Sequence, residues 1–344
     1  MTIRIPIVLL MLVGPATAEE RLVPATDAEF VAPFGVDFDR SGNTYIVEMT
    51  ANRVRKVAPD GMLSAFAGDG AKAFGGDGGP ALAARFDGPH HLLVAPDGAV
   101  LVADTWNNRV RRIDPATGRI ATIAGTGEKG FSGDGGPAVA AKFGGIYCLA
   151  LDAKGEHLYL ADLDNRRIRV IDLKSGVVTT AAGDGTKGVP VDGARATSAP
   201  LVDPRAVAVD ADGRIYILER NGHALRVAEP DGTIRTVAGT GKAGYSGDGG
   251  PAIRATLRGP KHLGVDRDGS VLIADTENHA IRRYVPKDGT IVAVAGTGTK
   301  GNGGLGGPPK LAELAQPHGV IAGPDGTTWI SDSTNGRVVK IVPR

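Results

Sequence analysis

Residues 89–113, PHHLLVAPDGAVLVADTWNNRVRRI, decide the fold of this chain. Within them, an apolar run from His91 to Ala95 leads into Pro96-Asp97-Gly98, a tight turn of the type that connects hairpin strands. A second apolar run ends at Asp104, and a third, Val110 to Ile113, alternates as a half-exposed strand does. With the run Ile120 to Ala124 that follows, the stretch predicts four short antiparallel strands.

The same pattern occurs six times, at a period of about 57 residues, and such a period indicates a repeat architecture. The copies begin at Pro33, Pro89, Ile146, Pro204, Pro260 and Pro317. Four strands in each of six copies predict an all-β six-bladed β-propeller rather than a β-solenoid, whose repeats are shorter. Because the last copy contains only three strands before Arg344, we expect residues 21–25 to add the outer strand of the last blade and close the ring.

The composition limits the classes of partner. The chain has 344 residues and a formal net charge of +1, with basic residues spread through all copies, so we expect no nucleic-acid partner. The single cysteine, Cys148, excludes an intrachain disulfide and is interpreted as a buried thiol. Arg4, the apolar residues 5–13 and Ala16-Thr17-Ala18 are typical of a secretory signal peptide. We therefore expect residues 1–18 to be removed and residues 19–344 to form a secreted or periplasmic monomer without a membrane span.

Positions that are the same in all copies are interpreted as scaffold. Every second strand ends in an acidic residue, which we expect to accept hydrogen bonds in the following loop or to pair with a nearby arginine. These residues are Glu48, Asp104, Asp162, Glu219, Asp275 and Asp332. The Gly-rich linkers contain Asp77, Asp134 and Asp248 and are predicted to be turns, with a Ca²⁺ site or a backbone anion site as alternatives.

Positions that vary between copies point to function. In a propeller the innermost strands begin at one mouth of the central channel, the top face, and the residue after each opening position lies there. These residues are Phe34, His90, Tyr147, Arg205, Lys261 and His318. A position that only builds the core would not change from Phe to His to Arg, so we expect a ligand pocket. The alternative is a water-filled channel without a specific ligand.

The predicted pocket supports two kinds of function. In the first, it binds an anionic small molecule, a peptide or a protein partner. In the second, a divalent cation, zinc or calcium, serves a lyase or hydrolase there, since zinc commonly takes three protein ligands and leaves one position open. The candidate metal ligands are His90, His318 and His262. Arg205 and Lys261 would then stabilise an oxyanion, and Tyr147 would act as acid or base.

Leu101-Val102-Ala103-Asp104, followed by Asn-x-Arg-Val, resembles the NHL repeat, and all six copies match it. The resemblance implies a propeller fold but no single function, since NHL propellers include ligand-binding ectodomains, RNA binders, lyases and lactonase-like hydrolases. The segment Pro317-His318-Gly319-Val320 is similar to one that carries a zinc-binding histidine in peptidyl-α-hydroxyglycine α-amidating lyases, and His90 occupies the matching position of another copy. Gluconolactonase-like propellers hold a divalent cation with carboxylates and an asparagine. The residues here that resemble those ligands are Glu48, Glu219 and Asn52.

Overall fold

The structure is a computed structural model that describes residues 20–343. Six antiparallel sheets, one for each sequence copy, form a six-bladed β-propeller, as predicted. We number the blades 1 to 6 in chain order. The predicted signal peptide, residues 1–18, lies outside the described residues. Within residues 20–343 there is no helix long and apolar enough to cross a membrane.

Each blade contains four main strands, counted outward from the central channel. The innermost strands are Pro33–Phe38, His91–Val94, Ile146–Leu151, Pro204–Val209, His262–Val265 and Gly319–Ala322. The second strands are Thr44–Glu48, Val100–Asp104, His157–Asp162, Ile215–Glu219, Val271–Asp275 and Thr328–Asp332. The third strands are Arg53–Val57, Arg109–Ile113, Arg167–Asp172, Ala224–Ala228, Ala280–Val285 and Arg337–Pro343. The fourth strands of blades 1 to 5 are Leu63–Ala67, Ile120–Ala124, Val177–Ala182, Thr233–Ala238 and Thr290–Ala295.

Short elements complete the connections between blades. Two-residue strands extend the sheets of blades 3, 4 and 5 at Gly136–Pro137, Ala194–Arg195 and Gly250–Pro251. Turns of 3-10 helix in the linkers are Ala81–Ala83, Ala138–Ala140, Ala196–Ser198, Ala252–Arg254 and Pro309–Leu311. Three more follow second strands, at Thr105–Asn107, Thr276–Asn278 and Ser333–Asn335. Between the sheets lies the apolar core, where Val47 of blade 1 and Val102 of blade 2 share a buried cluster with Phe86 of the linker.

Blade 6 takes its fourth strand from the other end of the chain. Glu20–Pro24 pairs antiparallel with Arg337–Pro343, which confirms the predicted closure, shifted by one residue. Leu22 is completely buried, and its backbone N–H donates to the carbonyl of Gly307. The added strand covers an edge that would otherwise expose unpaired backbone groups.

The acidic residue that ends each second strand has the predicted structural role. All six are completely buried. In every blade one carboxylate oxygen accepts a backbone N–H from a residue just before the innermost strand, 17 positions earlier in five blades and 18 in blade 3. In blade 2, for example, the Asp87 N–H donates to Asp104 at 2.8 Å. The carboxylate therefore fixes where the innermost strand begins.

A buried arginine joins this carboxylate to the Gly-rich linker. In blade 2, Arg111 is completely buried and lies 3.2 Å from the carboxylate of Asp104 and 2.6 Å from that of Asp77 in the linker. The second oxygen of Asp77 accepts a hydrogen bond from the hydroxyl of Thr122 at 2.7 Å. The equivalent ion pairs in blades 3 and 5 join Arg169 to Asp134 and Arg282 to Asp248. The linker aspartates are thus accounted for by protein partners, without a calcium ion.

Removal of one such arginine should destabilise the propeller strongly. Arg111→Met leaves two carboxylates without their cation, and we expect the free energy of unfolding to fall by about 3–5 kcal/mol. The matched control is Arg112→Met at the next residue, whose ion pair with Asp97 is partly exposed; we expect a loss below about 1 kcal/mol there. Denaturant unfolding measures both, and equal losses would contradict the role given to Arg111.

Candidate functional site

The channel mouth is positioned by links between neighbouring blades. Asn52 of blade 1 adopts a left-handed backbone conformation (φ 50°), and its side-chain oxygen accepts the backbone N–H of Gly88 at 2.9 Å. Equivalent bonds join Asn108 to Gly145, His223 to Gly259 and His279 to Gln316. Each bond ends two residues before a predicted pocket residue of the next blade. The roles of His223 and His279 are therefore structural, unlike those of the histidines that line the channel.

The backbone at the start of each innermost strand directs the side chain of the predicted pocket residue towards the channel. In blades 1, 3 and 4 the register with the second strand shifts just after the opening residue, and such a bulge re-aims the side chains next to it. In the other three blades the predicted residue lies just before the innermost strand, and its backbone N–H donates to the second-strand residue that is paired with the next residue of the chain. These bonds join His90 to Ala103, Lys261 to Ala274 and His318 to Ser331.

The structure brings the six predicted residues together at the top face, where we call them the mouth ring. They are Phe34, His90, Tyr147, Arg205, Lys261 and His318. The Phe34 ring stacks on His318 at a centroid distance of 4.1 Å and meets the edge of His90 at 5.2 Å. His90 in turn contacts Tyr147 at 4.7 Å. The guanidinium carbon of Arg205 lies 4.1 Å from the centroid of the Tyr147 ring. Aromatic groups thus fill the side of blades 1 to 3, and cations come from blades 4 and 5.

Among the buried arginines, Arg205 is unusual because it pairs with no carboxylate within residues 20–343. Its exposed fraction is 5%, and its Nε is buried without a hydrogen-bond partner among residues 20–343. The neighbouring Asp203 pairs instead with Arg220 at 2.8 Å. Burial lowers the pKa of Arg205 to about 10, so the side chain is still charged at neutral pH. A desolvated cation without a fixed anion therefore lies in the mouth ring.

Lys261, the second cation of the ring, is already paired. Its ammonium group lies 2.8 Å from the carboxylate of Glu277 and 3.2 Å from Nε2 of His318. Burial lowers its pKa from the ordinary value, although Glu277 opposes this effect. The uncompensated positive charge of the mouth ring is thus that of Arg205.

The two histidines of the mouth ring have a defined tautomer. Nδ1 of His90 lies 2.7 Å from the carbonyl of Gly88, and Nδ1 of His318 lies 2.8 Å from the carbonyl of Gln316. Since a carbonyl accepts, Nδ1 carries the hydrogen and Nε2 keeps its lone pair. Burial, and secondarily the cations nearby, holds the pKa of both rings well below the usual value, so both are neutral at pH 7.

A second pair of histidines spans the channel one residue further along the strands. His91 of blade 2 and His262 of blade 5, opposite each other in a ring of six, approach to 2.8 Å between their Nε2 atoms. Nδ1 of His91 accepts the backbone N–H of Leu149 at 3.3 Å, and Nδ1 of His262 accepts that of Val320 at 3.2 Å. This contact was not predicted from the sequence. The signal was present, because the two histidines occupy the same repeat position in copies 2 and 5, which lie opposite each other in a ring of six.

The predicted metal ligands do not come together as one set. His262 faces His91 rather than His90 and His318. Two groups of possible ligand atoms lie within 4.8 Å of one another in residues 20–343: those of His91, Cys148 and His262 in the channel, and those of Asp152, Glu156 and His157 outside it. A metal bound through Nε2 of a neutral imidazole requires the hydrogen on Nδ1, but here both Nδ1 atoms accept backbone N–H groups. In this orientation the pair does not fit a metal ion. Burial raises the pKa of the Cys148 thiol to about 11, in agreement with an inert buried thiol.

Beyond this pair the channel widens into a cavity of about 230 Å³, which we call the channel cavity. It runs from His91 and His262 to the far ends of the innermost strands, and side chains such as Leu93, Val207 and Ile321 form its apolar walls. Its third ionisable lining residue is Asp37, whose two oxygens accept the backbone N–H groups of Phe38 and Val94 at 2.8 and 2.7 Å. The histidine pair thus divides the channel into a mouth and a cavity.

Comparison with known proteins agrees with this architecture. Residues 147–246 match the family model of the teneurin NHL domain. The chain is therefore a six-bladed β-propeller that is similar to NHL-repeat propellers. It is 26% identical over 266 residues to Protein Suppressor of Quenching 1, chloroplastic, of Arabidopsis thaliana, across 74% of this chain and 25% of that protein. It is 26% identical over 352 residues to teneurin-1 of Homo sapiens, across 76% of this chain and 12% of that protein. The chain thus spans a quarter or less of these relatives.

Solved structures share the propeller fold of this chain. An auxiliary nutrient binding protein of Bacteroides thetaiotaomicron superposes with a TM-score of 0.69 at 14% identity, over 94% of this chain and 76% of that chain. Virginiamycin B lyase of Staphylococcus aureus superposes with a TM-score of 0.58 at 15% identity, over 95% of this chain and all of that chain. At such identities the likeness shows the fold alone.

Asp37 should make the stability of the propeller depend on pH. Burial raises its pKa from 3.8 to about 6, so the folded state binds the proton more tightly than the unfolded state does. Its stabilising contribution is complete below pH 4 and is lost as the pH rises through 6. We expect the free energy of unfolding to fall between pH 4 and pH 7 by about 2 kcal/mol more in the wild type than in Asp37→Asn. Unfolding curves across this range measure the difference, and the exposed Asp27→Asn should retain the wild-type profile. Parallel profiles of wild type and Asp37→Asn would contradict the assignment.

Proposed function

We propose that this propeller is a binding module whose mouth ring holds an anionic group of a small molecule, a peptide or a protein partner. The observation that carries the proposal is the buried Arg205 without a carboxylate partner. A carboxylate or phosphate would accept two parallel hydrogen bonds from its guanidinium and offset the cost of burying the charge.

The rest of the mouth ring suits such a ligand. Tyr147 lies against the guanidinium of Arg205 and holds it in place, while Phe34 and His90 offer apolar contact on the other side of the ring. Lys261 could turn from Glu277 to the ligand, because its ion pair is partly exposed. The ring therefore combines a few convergent polar groups with aromatic walls, as ligand sites commonly do.

Export is part of the same proposal. The pattern of Arg4, residues 5–13 and Ala16-Thr17-Ala18 supports secretion or a periplasmic location, where the module would meet its ligand as a monomer. The likeness to an auxiliary nutrient binding protein supports the binding class at the level of fold.

Replacement of Arg205 separates a ligand-binding role from a structural one. Arg205→Gln removes a buried charge that nothing in residues 20–343 neutralises, so we expect unchanged or higher stability. In contrast, Arg226→Gln in the same blade breaks the buried pair with Glu219 and should lower stability by about 3 kcal/mol. Thermal unfolding of the two variants beside the wild type gives the comparison.

Binding is measured in the same assay. Acetate, succinate, phosphate and sulfate are added at constant ionic strength, and we expect at least one of them to raise the melting temperature of the wild type but not of Arg205→Gln. Arg214→Gln, at the opposite end of the same blade, should respond as the wild type does. A response that survives in Arg205→Gln would show that the mouth ring is the wrong site.

The second candidate is a metal-dependent lyase or lactonase-like hydrolase at the same ring. The tautomer of His90 and His318 favours it, since Nδ1–H donation to a carbonyl is the usual arrangement of histidines that bind a metal through Nε2. Lys261 would have to leave Nε2 of His318. Zinc or calcium would supply a Lewis acid, with Tyr147 and Arg205 beside it for proton transfer and anion stabilisation.

Metal analysis tests this second candidate. Protein purified without chelator should contain one equivalent of metal, and a His90→Ala, His318→Ala double variant should contain none. His157→Ala tests the separate cluster of Asp152, Glu156 and His157 outside the channel, and loss of the metal in that variant alone would place the metal outside the mouth ring. Metal-free wild type whose melting temperature is unchanged by Zn²⁺, Ca²⁺ or Mg²⁺ would exclude this function.

A further inference from the structure

The channel-spanning histidines carry a hydrogen-bonding conflict that a ligand would resolve. Nδ1 of His91 and Nδ1 of His262 each accept a backbone N–H, from Leu149 and Val320. A neutral imidazole has one hydrogen, which must then sit on Nε2 in both rings. The two Nε2 atoms, 2.8 Å apart, are therefore two donors that face each other without an acceptor between them.

No other protonation state of the pair removes the conflict. A hydrogen bond between the two Nε2 atoms needs one ring with its hydrogen on Nδ1, and that hydrogen would meet the backbone N–H of Leu149 or Val320. A protonated ring has the same conflict, and burial lowers the pKa of His262 to about 4 and that of His91 well below the usual range. Both rings are more than nine-tenths buried, so bulk water does not satisfy the two donors freely.

We propose that the channel cavity binds a small, mainly apolar molecule through one hydrogen-bond-accepting oxygen, which the Nε2–H groups of His91 and His262 hold together. A carbonyl or carboxylate oxygen has two lone pairs and can accept both hydrogens with no change of tautomer. To admit it, the two Nε2 atoms must move from 2.8 Å to about 4.5–5 Å apart, so that each donates to the oxygen at an ordinary hydrogen-bond distance. Two converging N–H donors at the end of an apolar pocket form a site for an oxygen that carries partial or full negative charge.

The size and lining of the channel cavity set the class of ligand. Its volume of about 230 Å³ exceeds the roughly 150 Å³ in which a buried apolar cavity holds a benzene-sized molecule. Leu93, Leu149, Val207 and Leu263 line it, so the body of the ligand is apolar. The site lies on the other side of the histidine pair from the mouth ring and does not depend on the function proposed there.

The tautomers can be observed directly. Two-bond ¹H–¹⁵N spectra of histidine-labelled protein distinguish Nδ1–H from Nε2–H rings, and His91→Phe and His262→Phe assign the signals. We expect both rings of the wild type to carry the hydrogen on Nε2 and to stay neutral at pH 6. A hydrogen on Nδ1 of either ring would overturn the proposal, because the pair would then satisfy itself or suit a metal ion.

The ligand class is tested with two probes of one shape. Cyclohexanone carries a carbonyl oxygen, whereas methylenecyclohexane does not. We expect the wild type to bind cyclohexanone about tenfold more tightly, which is the effect of one to two neutral hydrogen bonds. His262→Phe should abolish this preference. Equal binding of the two probes by the wild type, or binding of neither, would overturn the proposal.

Two further variants test the location of the site while both histidines stay unchanged. Ala150→Phe places a ring in the channel cavity and should abolish binding of both probes, whereas Ala116→Phe on an exposed loop should not. Cyclohexanone carries no anionic group, so loss of probe binding in Ala150→Phe and loss of the anion response in Arg205→Gln are separate results that distinguish failure at the channel cavity from failure at the mouth ring. Probe binding that survives in Ala150→Phe would show that the site is elsewhere.

Discussion

The burial of one carboxylate in each blade is the constraint on which the rest of the propeller depends. A charged carboxylate removed from water is costly unless donors surround it. Each blade supplies a backbone N–H from just before its innermost strand, and blades 2 to 5 add a buried arginine within 4 Å. The same carboxylate therefore holds the end of the second strand and the start of the first. Since the mouth ring follows that start directly, the position of the ring depends on this buried network.

The other buried arginines of residues 20–343 all pair with carboxylates, so the one that does not, Arg205, is informative. Arg111, Arg169 and Arg282 are completely buried, and each contacts one carboxylate of its own blade and one of a linker. Blade 6 has Val339 at the matching position, and its linker, residues 303–307, has no aspartate. Arginine and aspartate are thus absent together, as expected of a pair in which either partner alone would be unfavourable. Against this background, a buried arginine without any carboxylate indicates a function outside the scaffold.

Much of the architecture could be predicted because each blade is built from local sequence. The 57-residue period predicted the number of blades. The absence of a fourth strand in the last copy predicted that residues 21–25 close the ring, one residue away from the observed Glu20–Pro24. The buried arginines were also accessible, since Arg occupies that position in five of the six copies, at residues 55, 111, 169, 226 and 282. The repeat pattern could not predict side-chain contacts across the channel. His91 and His262 are separated by 171 residues, and their approach depends on the diameter of the ring and on rotamers, which no single copy encodes.

The closing strand brings the two ends of residues 20–343 together. Glu20–Pro24 and Arg337–Pro343 are more than 300 residues apart in sequence, so their pairing closes the longest loop that the chain contains. Loop closure of this length is entropically unfavourable, and long-range contacts form slowly. The five other blades can form from consecutive residues, whereas this one requires nearly the whole polypeptide. We therefore expect blade 6 to be the last sheet to complete during folding, and its seam to be where the ring opens first.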